Sequence, residues 1–397
     1  MCLSARMAFS HRFLPGLTGL AALAVAVAAA SCGGADATPG PGGTVQDSGA
    51  PDVVAADTSP PVSTCAAPKT SCGTACVDLG SDGKNCGACG TACSGAQVCV
   101  ASKCTVASAF AARKVYLGET DRTGMSVQNA WKQYGRNIDG ITTVTATDGV
   151  ECKRLAGAAA SAMADGNDGI DNSWGKNVLG FLLALVPTPT KSTNQLIEAG
   201  GRTPLFSFAA PPKATGVAPF ALVTAESTIA PKWDGSDSRP IAESSTAGGQ
   251  PKTTFATAAF AAGVLTSGDA TAPFVISFSL GGTAFEIPIR LAQVTMTLAA
   301  DGKTATAGTV SGVIDTEELV TSFAKSAGAL SQQLCAGSTL DTIKQTIRQA
   351  SDILIDGTQD PTKDCNAISI GVGFDAVLVA AGPVAGPVAP AKDPCAP

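Results

Sequence analysis

Between Cys65 and Cys104 the chain carries eight cysteines among Gly, Thr, Ala, Ser and Asp, with almost no large apolar side chain. A stretch this short and polar cannot bury enough surface to fold on a hydrophobic core. Cross-links must replace the core. An even cysteine count in an exported segment reads as four disulfides, each worth roughly 2–4 kcal/mol. The competing chemistry is zinc, because Cys86-Gly-Ala-Cys89 has knuckle spacing. No histidine lies nearby, and an oxidising compartment favours disulfides. Eight cysteines allow on the order of a hundred pairings, and spacing does not choose among them.

The compartment is read from the start of the chain. Arg6, His11 and Arg12 precede an apolar run from Phe13 to Ala30, then Ser31-Cys32-Gly33-Gly34. That order describes an export signal rather than a membrane span. Ala29-Ala30-Ser31-Cys32 resembles a bacterial lipobox, with Ala29 where Leu is usual, and marks Cys32 for lipidation; ordinary cleavage after the alanines is the alternative. Residues 33–64 are Gly, Pro, Ala, Ser, Thr and Asp without periodicity, so 32–64 reads as a disordered linker after a 1–31 lipoprotein signal peptide. More than one acyl chain on Cys32 gives stable anchoring to the membrane. By resemblance to enteric lipoproteins, the lack of Asp after Cys32 favours the outer membrane or cell surface. Loss of the leader takes Arg6 and Arg12 and moves the formal charge from −6 to −8. With no Lys/Arg cluster, nucleic acid is excluded as a partner.

Within the cysteine-rich stretch, Asp78-Leu79, Asp82 and Asn85-Cys86-Gly87-Ala88-Cys89-Gly90 resemble the stigma-specific cysteine-rich repeat family. The resemblance covers only residues 65–104. It implies a secreted structural or interaction module of a surface lipoprotein, like those of myxobacterium-like genomes, with no catalytic residues. Asp78, Asp82 and Asn85 have two readings, calcium ligands or turn-forming Asx side chains.

Residues 110–382 are long enough for one large core, followed by a Pro/Gly-rich tail at 383–397. The expected fold is α+β, an antiparallel β-sandwich-like domain with a helical hairpin. Phe274, Ile276, Phe278 and Leu280 alternate, Gly281-Gly282 turns, and Phe285, Ile287, Ile289 and Leu291 resume. The apolar phase then shifts to Val294, Met296 and Leu298, which places a bulge near Ala292-Gln293. Asp301-Gly302 turns the chain into a Thr-rich strand ending at Val313-Ile314. In the last strand Ile368, Ile370, Val372, Phe374, Ala376 and Leu378 share one face, and Ser369, Gly371, Gly373 and Asp375 the other. Asp315 with Glu318, and Ser338 with Asp341, mark two helix starts. Cys335 ends the first helix and Cys365 follows the second, which suggests one bridge stapling the hairpin and leaves Cys152 for Cys395. An Ala-rich helix is expected over about Glu151–Ala164, with an apolar helix from Val178.

The chemistry is limited by an absence. The only histidine, His11, lies in the leader, which removes Ser-His-Asp, Cys-His and His-zinc catalysis from the mature chain. Ser322-Phe323-Ala324-Lys325 matches the Ser-x-x-Lys of penicillin-binding enzymes, but the companion motifs are missing. Carboxylates such as Asp234, Asp237 and Glu226 leave an envelope hydrolase acting on polysaccharide or peptidoglycan as the alternative function. The main expectation is a non-catalytic surface lipoprotein that binds an envelope or extracellular ligand. Its best candidate site is Asp165, Asn167, Asp168, Asp171 and Asn172, hard oxygens at short spacing that suit calcium; an Asx-rich turn is the competing reading. Asn137-Ile138-Asp139-Gly140 and Trp233-Asp234-Gly235-Ser236-Asp237 are further acidic turns. Trp131, Tyr134, Trp174, Trp233 and Tyr116 would serve a sugar if exposed, or the core if not.

Overall fold

The computed structural model describes residues 65–386, apart from 81, 94–96, 101, 146–148 and 281–282, together with 394 and 395. The leader, Cys32, the linker, the Gly281-Gly282 turn and most of the 383–397 tail lie outside the described residues.

The cysteine-rich module holds two hairpins, β1 (Thr70–Cys72) with β2 (Ala75–Val77) and β3 (Gln97–Val100) with β4 (Lys103–Val106). Disulfides Cys65–Cys76, Cys72–Cys89, Cys86–Cys99 and Cys93–Cys104 tie them together. The sulfurs of Cys86, Cys93 and Cys104 lie within 4.8 Å of one another. All three are consumed in disulfides, so no thiolate is offered to zinc. The Asx side chains make turns. Asp78 Oδ1 accepts from Gly80 N, Asp82 Oδ1 from Lys84 N and Asn85 N, and Asn85 Oδ1 from Gly90 N. Gly87 sits at φ 76°, where a Cβ would lie 2.7 Å from the Ser102 carbonyl oxygen. The Asn-Cys-Gly-x-Cys-Gly pattern is therefore a turn specification.

Strand β5 (Ser108–Tyr116) follows the module within two residues. After it come β6 (Thr203–Phe208), β7 (Gly216–Val217), β8 (Phe220–Ala225), β9 (Ser238–Ile241), β10 (Thr246–Ala247), β11 (Gln250–Pro251), β12 (Thr253–Phe255), β13 (Ala259–Ala261) and β14 (Val264–Thr266). The long strands β15 (Phe274–Leu280), β16 (Thr283–Leu298), β17 (Thr304–Asp315) and β18 (Ala367–Val384) complete the set. Twelve strands form one sheet in the order β12-β8-β6-β5-β18-β17-β16-β14-β13-β7, with β15 beside β16 and β9 beside β18 and β8. Every pairing in it is antiparallel except β9 with β18. The ladder curls until its far parts meet. Phe208 of β6 lies 6.3 Å from Phe260 of β13, and only Ala256, Thr257 and Ala258 separate β12 from β13. The curl encloses one continuous core that includes Phe110, Phe206, Phe220, Phe255 and Phe374. The domain is thus a mostly β α+β fold, sandwich-like because a single sheet folds over itself.

The expected bulge falls at Leu291-Ala292, between the Arg290 and Gln293 pairings, with Leu291 at φ 48°. Among the described residues, four α-helices accompany the sheet: α1 (Leu179–Leu182), α2 (Pro189–Glu198), α3 (Thr316–Leu330) and α4 (Ser338–Arg348). Asp315 caps α3 by accepting from Glu317 N and Glu318 N, and Leu319, Phe323 and Ala327 are buried. Among the described residues, no helix is long and apolar enough to cross a membrane.

Three expectations are corrected. Cys152 pairs with Cys365, and Cys335 with Cys395. Cys365 begins the approach to β18, and its N–H donates to Lys153 O at 2.9 Å, which brings it to Cys152 rather than to α3. The same contact prevents a helix over Glu151–Ala164. Lys153 bridges to Asp364, and the chain then makes a turn at Leu155–Ala158 and a 3-10 turn at Ala160–Met163, so tertiary pairing overrides alanine's helix preference. Helix α4 is preceded by Gly337 at φ 99°, with no side-chain cap from Ser338.

The small-residue face of β18 is covered by the chain between Arg122 and Asn177. Each of its four outward residues has a task. Ser369 accepts from Ser173 N and donates to Asp352 Oδ2, both within 2.8 Å. Gly371 exchanges hydrogen bonds with the Asn172 amide at 3.0 Å. Gly373 lies under the Tyr134 ring, and Asp375 accepts from Tyr116 Oη at 2.7 Å. A Cβ on Gly371 would stand 2.1 Å from the Tyr134 carbonyl oxygen. Backbone meets backbone there, and no rotamer relieves the clash. Gly371→Ala is expected to cost about 3 kcal/mol or more. A urea titration showing less than about 1 kcal/mol would contradict this packing.

Candidate functional site

The two glycines of Asp165-Gly166-Asn167-Asp168-Gly169 let this loop press against residues 132–142. A Cβ on Gly166 would lie 2.7 Å from Lys132 O, and one on Gly169 2.6 Å from Asn137 Nδ2. Contact at that range brings two separate turns together. Asp171 Oδ2 accepts from Ile138 N at 2.5 Å and Asp139 N at 3.3 Å. Asp165 and Thr143 exchange two bonds, Thr143 N donating to the Asp165 side chain at Oδ2 and Asp165 N donating to Thr143 O. Hydrogen bonding from Asp171 acts on Asp165 against the larger, raising effect of burial. Gln359 Nε2 donates to Asp139 Oδ2 at 2.7 Å, and Asp352 accepts from both N and Oγ of Ser369.

The five proposed ligands divide. Asp165 and Asp171 converge. Asn172 is turned inward, its Nδ2 among the carbonyls of Trp131, Tyr134 and Gly371 and its Oδ1 accepting from Gly175 N and Gly371 N. Asn167 and Asp168 are exposed. Of the two further acidic turns, 137–140 joins the cluster. The turn 233–237 does not: Asp237 accepts from Lys232 N and Trp233 N, and Asp234 from Ser236. Asp352 and Lys176 belong to the cluster without having been singled out. No motif in the sequence around Asp352 or Lys176 marks either as a member of the cluster.

Burial dominates the electrostatics. Asp171 is pushed up to about 9 by burial and then by the negative charges of Asp139, Asp352 and Asp165. Burial also raises Asp352 to about 7, against its two bonds from Ser369, and Asp165 to about 6. Burial lowers Lys176, whose ammonium donates to Ser161 O and Ala164 O and lies 5.3 Å above the Trp131 ring. Asp171 therefore carries a proton at neutral pH and can donate to Asp165. The arrangement fastens the loops through the buried Asp171 and the half-buried Asp165.

The remaining candidates have structural surroundings. Phe323 is buried and Lys325 exposed on α3. Tyr134, Trp174, Tyr116, Trp131 and Trp233 are all at most 8% exposed, so none forms a sugar platform. Glu226 forms an ion pair with Arg202 at 3.1 Å. Arg202 also binds Glu286, and it lines two cavities, of about 110 and 260 Å³.

Each raised carboxyl binds its proton more tightly folded than unfolded. Its contribution is complete below about pH 4 and is lost as pH climbs through about 6, 7 and 9. Each such proton gives a slope of about 1.4 kcal/mol per pH unit. The melting temperature is expected to fall by several degrees between pH 6 and pH 9. Asp171→Asn keeps the donor to Asp165 without the titration, so its profile should be flatter above pH 7. Parallel profiles for the two proteins would remove Asp171 from this role.

Residues 56–113 match the model of the Stigma-specific STIG1-like protein family, and the four disulfides of the module lie inside that match. No curated protein and no solved structure matches the chain. The cysteine-rich module is thus similar to the stigma-specific family, and the β-rich domain beyond Arg113 in β5 stands outside the match.

Proposed function

We propose that the chain is a non-catalytic lipoprotein of the outer membrane or cell surface, in which the cysteine-rich module spaces a binding domain from a lipid-anchored Cys32. The observation that carries this reading is the oxidation state: all twelve cysteines from Cys65 onward are in disulfides. Such saturation suits an exported protein. A non-catalytic role is supported by the acid cluster, whose Asp171 and Asp352 are buried and held by neighbouring backbone and serine groups. A general acid must reach its substrate.

Metabolic labelling with radioactive palmitate should label the wild-type protein and not Cys32→Ser. Equal labelling of both would refute the anchor. Turnover of peptidoglycan or envelope polysaccharide by the purified protein would refute the non-catalytic reading.

Calcium enters this proposal as a stabiliser. At alkaline pH the ion would replace the proton between Asp165 and Asp171, a charge exchange that hard oxygen donors permit. Millimolar calcium at pH 8.5 should raise the melting temperature of the wild type and leave Asp171→Asn unchanged. Identical curves with and without calcium would remove the ion.

A further inference from the structure

We propose that the groove around Arg202 binds a neutral, polyhydroxylated ligand, the repeating unit of an uncharged polysaccharide. This inference rests on the binding role proposed above and names the chemistry of its ligand. Two cavities, about 110 and about 260 Å³, share Arg202 and Ser244 in their walls. They lie among elements distant in sequence: β8, the loop from Glu243 to Lys252, the β15–β16 hairpin, and Ala385-Gly386 beyond β18.

The polar walls are held in place before any ligand arrives. The Arg202 guanidinium is fixed from two sides, by Glu226 at the end of β8 and by Glu286 on β16. Ser245 Oγ accepts from Thr224 N and donates to Ala242 O, and Lys252 Nζ donates to Ser244 O at 2.8 Å. Preorganised groups lose little freedom on binding. Each retains acceptor or donor capacity, since a carboxylate offers about four lone-pair sites and guanidinium five N–H donors.

Charge selects the ligand class. An anion entering the groove meets Glu226, Glu243 and Glu286. A cation meets Arg202 and Lys252. An apolar ligand would strip water from ion pairs whose side chains are still 24–48% exposed, and would return no hydrogen bond. Hydroxyl groups satisfy both signs at once, through charge-assisted hydrogen bonds that add no net charge. The five Trp and Tyr side chains are all buried, so stacking contributes nothing, and the affinity should be on the order of 1 mM.

Calorimetric titration of the disulfide-intact protein with cellotriose, maltotriose and chitotriose tests the assignment, with trigalacturonate and spermine as charged probes. At least one neutral trisaccharide should bind more tightly than either charged probe. Glu286→Gln and Arg202→Gln should each weaken it about fivefold or more, the loss of one charge-assisted bond. Glu286 is exposed, so its variant should melt as the wild type does, which separates lost binding from lost fold. The groove is refuted if no neutral probe binds at about 10 mM, if a charged probe binds more tightly, or if both variants bind like the wild type. Chromatography of the spent sugar separates the two proposals. Cleavage would overturn the non-catalytic reading and leave the groove, whereas intact sugar with no binding would overturn the groove alone.

Discussion

The domain depends on one strand face that combines glycine with short polar side chains. Strand β18 runs near the middle of the sheet between β5 and β17, and its apolar residues point into the enclosed core. Its reverse face presents Ser369, Gly371, Gly373 and Asp375. Because two of these lack a Cβ, the backbone at Tyr134-Gly135 and the Asn172 side chain settle directly on the strand. Glycine within a strand ordinarily weakens it. Here its entropic cost is offset by a second layer that a larger residue would hold off, and that layer delivers Asp171 beside Asp139 and Asp165.

The pattern of this strand was fully legible in the sequence, and its partner was not. Alternation reports which residues share a face, but not what covers that face. The hairpin of β15 and β16, the bulge before Val294 and the Asp315 cap were legible for the same reason, since each is encoded within a few neighbouring residues. The helix expected over Glu151–Ala164 failed where local preference met a distant constraint, the bridge from Cys152 to Cys365 across 213 positions. Of the candidate site, Asp165 and Asp171 were visible as a motif. Asp352 was not, because it reaches the cluster only through the packing of β18 and its bond to Ser369.

The disulfides divide into two kinds by the length of chain they close. Those of the module span 11 to 17 positions and replace a missing core. Cys152–Cys365 and Cys335–Cys395 span 213 and 60 positions and are added to a core that already exists. Longer closures remove more freedom from the unfolded chain, about 5 and 4 kcal/mol by the chain-entropy relation. The buried Cys152–Cys365 pair also sits against Met163 and Leu354, on the same side of the domain as the acid cluster. Cys152 N donates to Gln359 Oε1, and the Gln359 amide donates to Asp139 and to the Asp352 carbonyl.

Cross-link and carboxyl cluster therefore constrain the same loops by different means. A disulfide limits how far residues 152 and 365 can separate when unfolded, but it does not orient the groups around them. Orientation comes from hydrogen bonds to buried carboxyls, which are strong only while those groups are satisfied. Neighbouring carboxylates repel when both are ionised, and burial with the charges of Asp139, Asp352 and Asp165 keeps the proton on Asp171. Covering β18 thus commits the domain to an acid pair whose charge must be neutralised. The groove at Arg202 has solved the same problem differently, since its guanidinium lies between Glu226 and Glu286 in contact with solvent. Acids held by backbone and serine groups fasten loops in place, whereas exposed acids around a fixed cation keep spare hydrogen-bonding capacity for a ligand.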